Sequence, residues 1–555
     1  MIAVVAHPRE SELVREFFEL FKIPWEFYRP ERQYEVVLIA RENASVQDLC
    51  AKFAVVYASQ KTPFDEEGKI EITSHRKSGA ISYKGRRLPI YGKRVTLRGN
   101  GSNLLNEEDS QLSAGTLVKA GHKIVARVGY DLFEEIRILL TEGQPPENAG
   151  IPALEIHIAL LRDLIVEWGV PLVEIPPIPE GHTFIACLTH DVDHPAIRQH
   201  RWDHTVFGFL YRAVIGSVLG VLRGRIPVQH LLVNWAAVAK LPFIYLGLAK
   251  DFWYEFNRYL DIERGLDSTF FVLPFKGDPG VITQGPAPRM RASSYAATDI
   301  AGRIQELASA GREVGLHGID AWLDSAKGEK ELAQITLITG EPQIGVRMHW
   351  LYFDGESPVA VDKAGFLYDS TVGYNDTVGF RAGTSQVFKP LAACRLLELP
   401  MHIMDTSLFY PCYLNLTFKE AEERVGTVLD DACKFGGVVT INWHDRSIAP
   451  ERLWGEFYAH LISEVKTRGA WCTGASRTVT WFQRRRSVTF HRGDQSIELM
   501  LPTSRHSSDK RIPPLKVRVY NANGISTVPS GSYVETVLSE SKTIRLPAGS
   551  PFEFQ

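Results

Sequence analysis

From residue 183 almost to 486 the chain alternates short apolar runs with amphipathic stretches, and this rhythm restricts its fold more than any other feature. Strand-type runs lie at 184–189 (FIACLT), 269–273, 312–317, 344–348, 366–369, 396–401, 438–443 and 470–473. Helical spacing fills 296–310, 327–339, 418–435 and 451–467. Seven or eight short apolar strands separated by helices predict parallel strands joined by crossovers, hence a closed or nearly closed βα barrel. Barrels of that kind keep their chemistry at the C-terminal ends of the strands.

The flanking regions have a different texture. Residues 1–170 begin with apolar runs at 2–7, 35–40 and 53–58 around a helical stretch at 10–21. Alternating hairpin-like segments follow from 69 to 98, then helical patterns near 130–142 and 152–168, which together predict an N-terminal α/β domain. Residues 171–182 hold four prolines and read as a linker, 183–486 as the barrel, and 487–555 as a small all-β, sandwich-like domain. The expected fold class is therefore α/β, a distorted (β/α) barrel between an N-terminal α/β domain and a C-terminal β domain. With 45% hydrophobic residues the chain can bury large cores, and with 62 basic against 65 acidic residues it lacks the cationic excess of a nucleic-acid binder. Six scattered cysteines contain no CxxC pair, so neither a disulfide framework nor a thiolate zinc site is expected. The first residues reach polar positions too early for a secretory h-region, which sets a cytoplasmic expectation.

An apolar insertion at 205–250 interrupts the barrel. Residues 205–222 carry a single charge, Arg212, and 231–249 are nearly as apolar apart from Asn234, Lys240 and Pro242. Two readings stand: a buried helix pair covering the barrel, or a hairpin making peripheral membrane contact with help from Arg198, Arg201, Arg223 and Arg225.

The chemistry-bearing residues gather at predicted strand ends. Asp191 and Asp193, in the run Thr-His-Asp-Val-Asp-His, are two apart and so project to one side of an extended chain. His317 ends a later strand, and His349 and His444 follow two more. Carboxylate plus imidazole at one barrel mouth suits a divalent ion: zinc first, with cobalt, manganese or nickel as alternatives. The HxxxH-like pair His200 and His204 lacks an accompanying carboxylate motif, and Arg98-Gly-Asn-Gly101 lacks the Gly-Lys-Ser/Thr of a phosphate loop.

The order of DxD, STFFV, EVGLHG, an Arg-x-x-aromatic motif and a late WHD resembles the polysaccharide deacetylase (NodB-homology, carbohydrate esterase) family over about 183–486. The resemblance implies Asp191 as general base, Asp193 and His317 as metal ligands, Arg347 and Trp350 as the motif orienting the base and framing the pocket, and His444 as the acid that protonates the leaving group. Ala321 stands where the family's second metal histidine belongs. His349 is the first choice to replace it, ahead of Asp320 and then His194 or His402. Asp405 or Asp445 would hold the His444 imidazolium, and Trp350, Asp369, Arg381 and Asp405 are candidates to touch substrate, with Trp322, Tyr352, Tyr374 and Phe380 as stacking faces. The implied reaction is metal-dependent removal of an N-acetyl or related acyl group from an amino sugar in a glycan or glycan precursor. Alternatives are an amidohydrolase cleaving a small non-sugar C–N bond, a carbohydrate-binding scaffold that lost its metal with Ala321, and a phosphohydrolase using His444-Asp445.

Overall fold

The computed structural model describes residues 1–546 except 43–45, 47, 48, 50, 111, 121, 122, 284, 494, 495, 503–508, 510 and 521–532. The chain forms two compact units: Met1–Gly181 with Phe380–Leu391 and Thr480–Gln555, and His182–Gly379 with Ala392–Val479. The sequence suggested three successive domains; here the C-terminal strands group with the N-terminal chain.

The first unit holds a nine-stranded sheet. Its parallel half runs Trp25–Phe27, Ile2–Val5, Tyr34–Ile39, Ala51–Tyr57 and Lys123–Val128. Antiparallel strands Ser113–Ala120, Ser102–Glu107, Gly79–Tyr83 and Arg86–Ile90 continue it. The expected linker is partly a strand: Leu172–Glu174 pairs antiparallel with Arg518–Tyr520. The buried Glu174 carboxylate accepts from Arg162 Nη2 at 2.6 Å, so this stretch is anchored by an ion pair as well as by its ladder.

The second unit is built on a curled, all-parallel sheet. Its order is Val346–Met348, Glu313–Gly318, Thr269–Val272, Ile185–Val192, Val438–Asn442 and Ile403–Met404, with Trp471–Thr473 also paired to Ile185–Val192. Every residue of Ile185–Val192 is buried, as a strand covered on both faces must be. The runs expected as strands at 366–369 and 396–401 contribute single bridges, Val346 to Asp369 and Asp369 to Glu398. Pro400 supplies no N–H near the end of the second run, which interrupts a ladder there. This stretch nevertheless reaches both edges: Leu399 N donates to Asp369 O at 2.8 Å, and His402 N to Thr440 O at 3.1 Å.

Crossover helices Ala301–Ser309, Ser325–Thr339, Phe418–Phe435 and Gly455–Thr467 match the sequence rhythm. Phe418–Phe435 shows why: Thr417 accepts from Glu420 N while Glu420 reaches back to Thr417 N at 2.8 Å, a reciprocal N-terminal cap. The insertion is a helical hairpin, His204–Leu222 (with a π-helical turn at Tyr211–Gly216) followed by Val228–Tyr245. Val206, Phe209, Ala213, Ala237, Leu241 and Ile244 bury one face with Trp253. His204–Leu222 has a mean hydropathy of 1.8 and is long and apolar enough to cross a membrane by length and composition, yet only 28% of it is buried.

Candidate metal centre and active site

Parallel strands bring their C-terminal ends together, and that is why residues separated by some 250 positions in the chain meet here. Asp191 sits in the last turn of pleat of Ile185–Val192, with Asp193 just past its end. His317 comes from Glu313–Gly318, His349 follows Val346–Met348, and His444 follows Val438–Asn442. All five line one cavity of about 620 Å³.

Asp193, His317 and His349 each turn one donor atom inward, all within 4.8 Å of one another, so the trio could hold a metal ion. Asp193 Oδ1 lies 3.3 Å from His317 Nε2 and 3.8 Å from His349 Nε2. His317 Nδ1 donates to the Arg347 carbonyl at 2.9 Å, which orients the ring with Nε2 facing the carboxylate. Burial pushes the His349 imidazole down to about 3. Burial works to raise the Asp193 pKa, but His349, His317 and His444 carry it well below the usual carboxylate range. Asp193 Oδ1 is buried without a hydrogen-bond partner. A buried anionic oxygen facing two imidazole nitrogens is costly unless a cation sits between them, and this donor set fits a divalent ion.

Ala321, at the position where the resemblance calls for a second histidine, is fully buried and packs toward the helix Ser325–Thr339. A Cβ added at Gly328 of that helix would lie only 3.4 Å from the Ala321 Cβ. The other replacements considered are engaged elsewhere. Asp320 accepts from Val281 N at 2.9 Å and from Lys327 Nζ at 2.8 Å. His402 Nδ1 accepts from Thr440 N at 3.2 Å, and His194 Nδ1 lies 3.2 Å from His200 Nε2.

Asp191 is held from two sides. Arg347 Nη1 donates to its Oδ1 at 3.0 Å and Asn442 Nδ2 to its Oδ2 at 2.7 Å. Oδ2 also lies 3.9 Å from His317 Nε2, so this atom faces the donor cluster. Burial works to raise the Asp191 pKa, but the Arg347 guanidinium outweighs it and keeps the carboxyl below its ordinary value. Arg347 is itself fully buried, with Nε on Ser370 O at 3.0 Å, Nη2 on Ser370 Oγ at 2.9 Å, and its plane 4.6 Å above Phe271. Asn442 was visible in the run Ile-Asn-Trp-His-Asp, but nothing in one strand's sequence shows that its amide reaches a neighbouring strand's carboxylate.

His444 turns Nε2 toward Asp193 Oδ2 at 3.8 Å, while its Nδ1 is bound to Asp405 Oδ1 at 2.6 Å. Asp405 Oδ2 also accepts the His444 backbone N–H at 2.7 Å. Burial works to lower the imidazole pKa, but the Asp405 carboxylate overrides it and lifts it to about 9. Asp405 is thus the partner of His444. Asp445 instead accepts from His194 N at 3.0 Å, and burial and then Asp193 raise it to about 7.

The remaining candidates divide. Trp350 and Tyr352 line the cavity, joined by Tyr410 and Tyr413, which the sequence did not single out. Trp350 and Leu351 both adopt left-handed backbone angles, φ 63° and 54°. Asp369 is buried outside the cavity lining, takes the Thr371 hydroxyl, and is raised to about 6 by burial. Trp322 and Tyr374 are buried, and Arg381 and Phe380 belong to the first unit, where the Arg381 carbonyl accepts from Gln144 N at 2.7 Å.

No family model matches the chain, and no curated protein matches its sequence. Among solved structures, it is similar to a protein described as a polysaccharide deacetylase from Mycobacterium smegmatis, with 20% identity, 57% of this chain and 99% of that one covered, and a TM-score of 0.34. A probable polysaccharide deacetylase from Pseudomonas aeruginosa PAO1 is 14% identical over 56% of this chain and 94% of that one, also at 0.34. Puue allantoinase is 15% identical over 55% and 92%, again at 0.34.

Proposed function

We propose that this protein is a divalent-metal-dependent hydrolase, on a distorted (β/α) barrel, that removes an N-acetyl or related acyl group from an amino sugar in a glycan or glycan precursor. The observation that carries the reading is the orphaned Asp193 Oδ1 between two imidazole nitrogens, flanked by a carboxylate held low and an imidazole held high. Asp193, His317 and His349 would hold the ion, zinc by preference. Bound there, such an ion supplies Lewis acidity that lowers the pKa of water from about 15.7 toward about 7.

The chain's own groups supply the proton handling. Asp191, ionised by Arg347 and oriented by Asn442, accepts a proton at Oδ2 from the attacking water. His444, kept as imidazolium by Asp405, donates from Nε2 to the departing nitrogen, which leaves poorly as an amide anion. Two titratable groups whose environments drive their pKa values apart form a natural base and acid pair. Trp350, Tyr352, Tyr410 and Tyr413 offer apolar faces with polar edges around the opening, a lining suited to sugar rings.

The test is metal content together with acyl release. Purified protein should hold close to one divalent ion per chain and liberate acetate from N-acetylated amino sugars. Asp191→Asn should retain the ion and lose turnover. Protein that neither binds zinc, cobalt, manganese or nickel nor releases acetate would sink the proposal, and an active Asp191→Asn variant would remove the assigned base. Release of amine from a small non-sugar amide, with N-acetyl sugars inert, would favour the amidohydrolase alternative.

A further inference from the structure

Three arginines line the same cavity on the side of the helical hairpin: Arg212 from the hairpin, Arg446 just after His444, and Arg452 before the helix Gly455–Thr467. Among the described residues none of the three has a carboxylate within ion-pairing distance. Among the described residues Arg212 Nε, Arg446 Nη1 and Arg452 Nε are buried with no hydrogen-bond partner, and the one guanidinium hydrogen bond is a long 3.4 Å contact from Arg452 Nη1 to Ser447 Oγ. Two of the planes are fixed by stacking instead, Arg446 5.1 Å over Trp253 and Arg452 4.8 Å over Trp454. Stacking positions a guanidinium without consuming its N–H donors.

The nearby acids, Glu451 and Asp445, offset the three charges only in part. Glu451 spends one oxygen on Trp253 Nε1 at 3.3 Å, and Asp445 is occupied by backbone N–H groups and raised to about 7 by burial and Asp193. Burial and repulsion from Arg452 and Arg212 push the Arg446 pKa down, and Glu451 and Asp445 offset this only in part, the expected result of three like charges beside too few acids.

We propose that Arg212, Arg446 and Arg452 form a subsite for a phosphate ester group carried by the substrate. Two stacked forks with a third arginine beside them match the several acceptor oxygens of a phosphate better than one carboxylate would. The proposal rests on the hydrolase reading, since the subsite opens into the same cavity as the metal centre. It deepens that reading by naming the substrate class as a phosphorylated acylamino sugar, bound either to a nucleotide or to a lipid.

Calorimetric titration with inorganic pyrophosphate tests the subsite without turnover. Wild type should bind, Asp193→Asn should bind equally, and Arg446→Gln and Arg452→Gln should each weaken binding roughly tenfold or more, as loss of a charge-assisted hydrogen bond does. Arg452→Lys, which keeps the charge, should fall between, and circular dichroism checks that each variant is folded. No binding by wild type, binding lost in Asp193→Asn, or binding unchanged in folded Arg446→Gln would each overturn the proposal. If pyrophosphate binds in this pattern while no acyl release occurs, the subsite stands and the hydrolase reading falls. Turnover of a nucleotide-linked against a polyprenyl-phosphate-linked acylamino sugar then identifies the source of the phosphate.

The outer face of the hairpin independently points to an anionic lipid bilayer as its occupant. Phe207, Ile215, Leu222, Leu232, Trp235 and Leu246 are exposed there, Leu222 at 77% and Leu246 at 71%. Residues 196–250 hold seven Lys or Arg and one acid, Asp203. Arg198, Arg201 and Lys250 are exposed at the base, and Arg223 and Arg225 are exposed at the turn. Apolar helix faces bracketed by cations at both ends suit a hairpin lying in the plane of a negatively charged leaflet. Full-length protein should float with vesicles of phosphatidylcholine plus phosphatidylglycerol, float less with phosphatidylcholine alone, and stay unbound as Leu222→Glu/Leu232→Glu. Failure of wild type to float, equal flotation of that variant, or a dimer in size-exclusion that the variant dissociates would overturn the bilayer assignment.

Discussion

Replacing Asp405 by Asn removes one charge and almost no volume, and it isolates what the carboxylate does for His444. The two are joined by a 2.6 Å hydrogen bond, and the imidazole titrates at about 9. The gap between about 9 and the ordinary 6.5 corresponds to roughly 3 kcal/mol of preference for the protonated ring. Without the carboxylate only burial and weaker neighbours remain, so the ring should titrate at or below its ordinary value. At about pH 8 a group titrating at about 9 is about 90% protonated, against about 3% for one at about 6.5. The acid form therefore falls about thirtyfold. The sign follows from the role: an imidazolium donor is present below its pKa, so activity is lost as pH rises through it. In kcat/KM against pH, the alkaline limb of wild type should lie near 9 and that of Asp405→Asn should move to about 6.5 or lower. Direct NMR titration of the His444 ring gives the same comparison without substrate. An Asp405→Asn enzyme whose alkaline limb stays near 9 would refute both the pairing and the role of His444.

Other outcomes follow from the same geometry. His349→Ala should lower zinc affinity by about 100-fold or more in chelator competition, while Asp320→Ala, whose carboxylate is tied to Lys327, should leave it unchanged. Arg347→Met strands the buried Asp191 carboxylate and should destabilise the protein by about 3–5 kcal/mol near neutral pH in urea unfolding. Because Arg347 holds the Asp191 pKa low, that contribution exists above the unfolded carboxylate range and is lost as pH falls, so wild type and variant should converge in acid. Asn442→Ala should lower kcat about tenfold with metal content unchanged, measured by single-turnover acyl release and metal analysis.

Much of the centre could be read from one dimension because a parallel sheet converts strand order into proximity. Asp191 and Asp193 share a side through the two-residue pleat, and a histidine at or just past the end of each of three strands must approach the same rim. Partners chosen by side-chain reach were not readable. Asp405 and Asp445 were equal candidates for His444, and only the placement of Ile403–Met404 beside Val438–Asn442 distinguishes them. Arg381 sits in an apolar-rich stretch next to barrel residues in sequence, yet its segment belongs with Glu155 and Gln144 in the first unit. The hairpin's apolar composition could not show which face was covered, since its two faces are equally hydrophobic in sequence and only packing against Trp253 separates them.

The reversed backbone at Trp350 and Leu351 has a consequence for how this chain can vary. Ordinary strand or helix geometry would scatter His349, Trp350 and Tyr352 around an axis, whereas the left-handed pair lets all three border one opening. Spacing between Met348 and Tyr352 is therefore more constrained than side-chain identity: a conservative replacement leaves the rim intact, but inserting or deleting one residue would rotate the loop's contacts out of phase with the strand that precedes it.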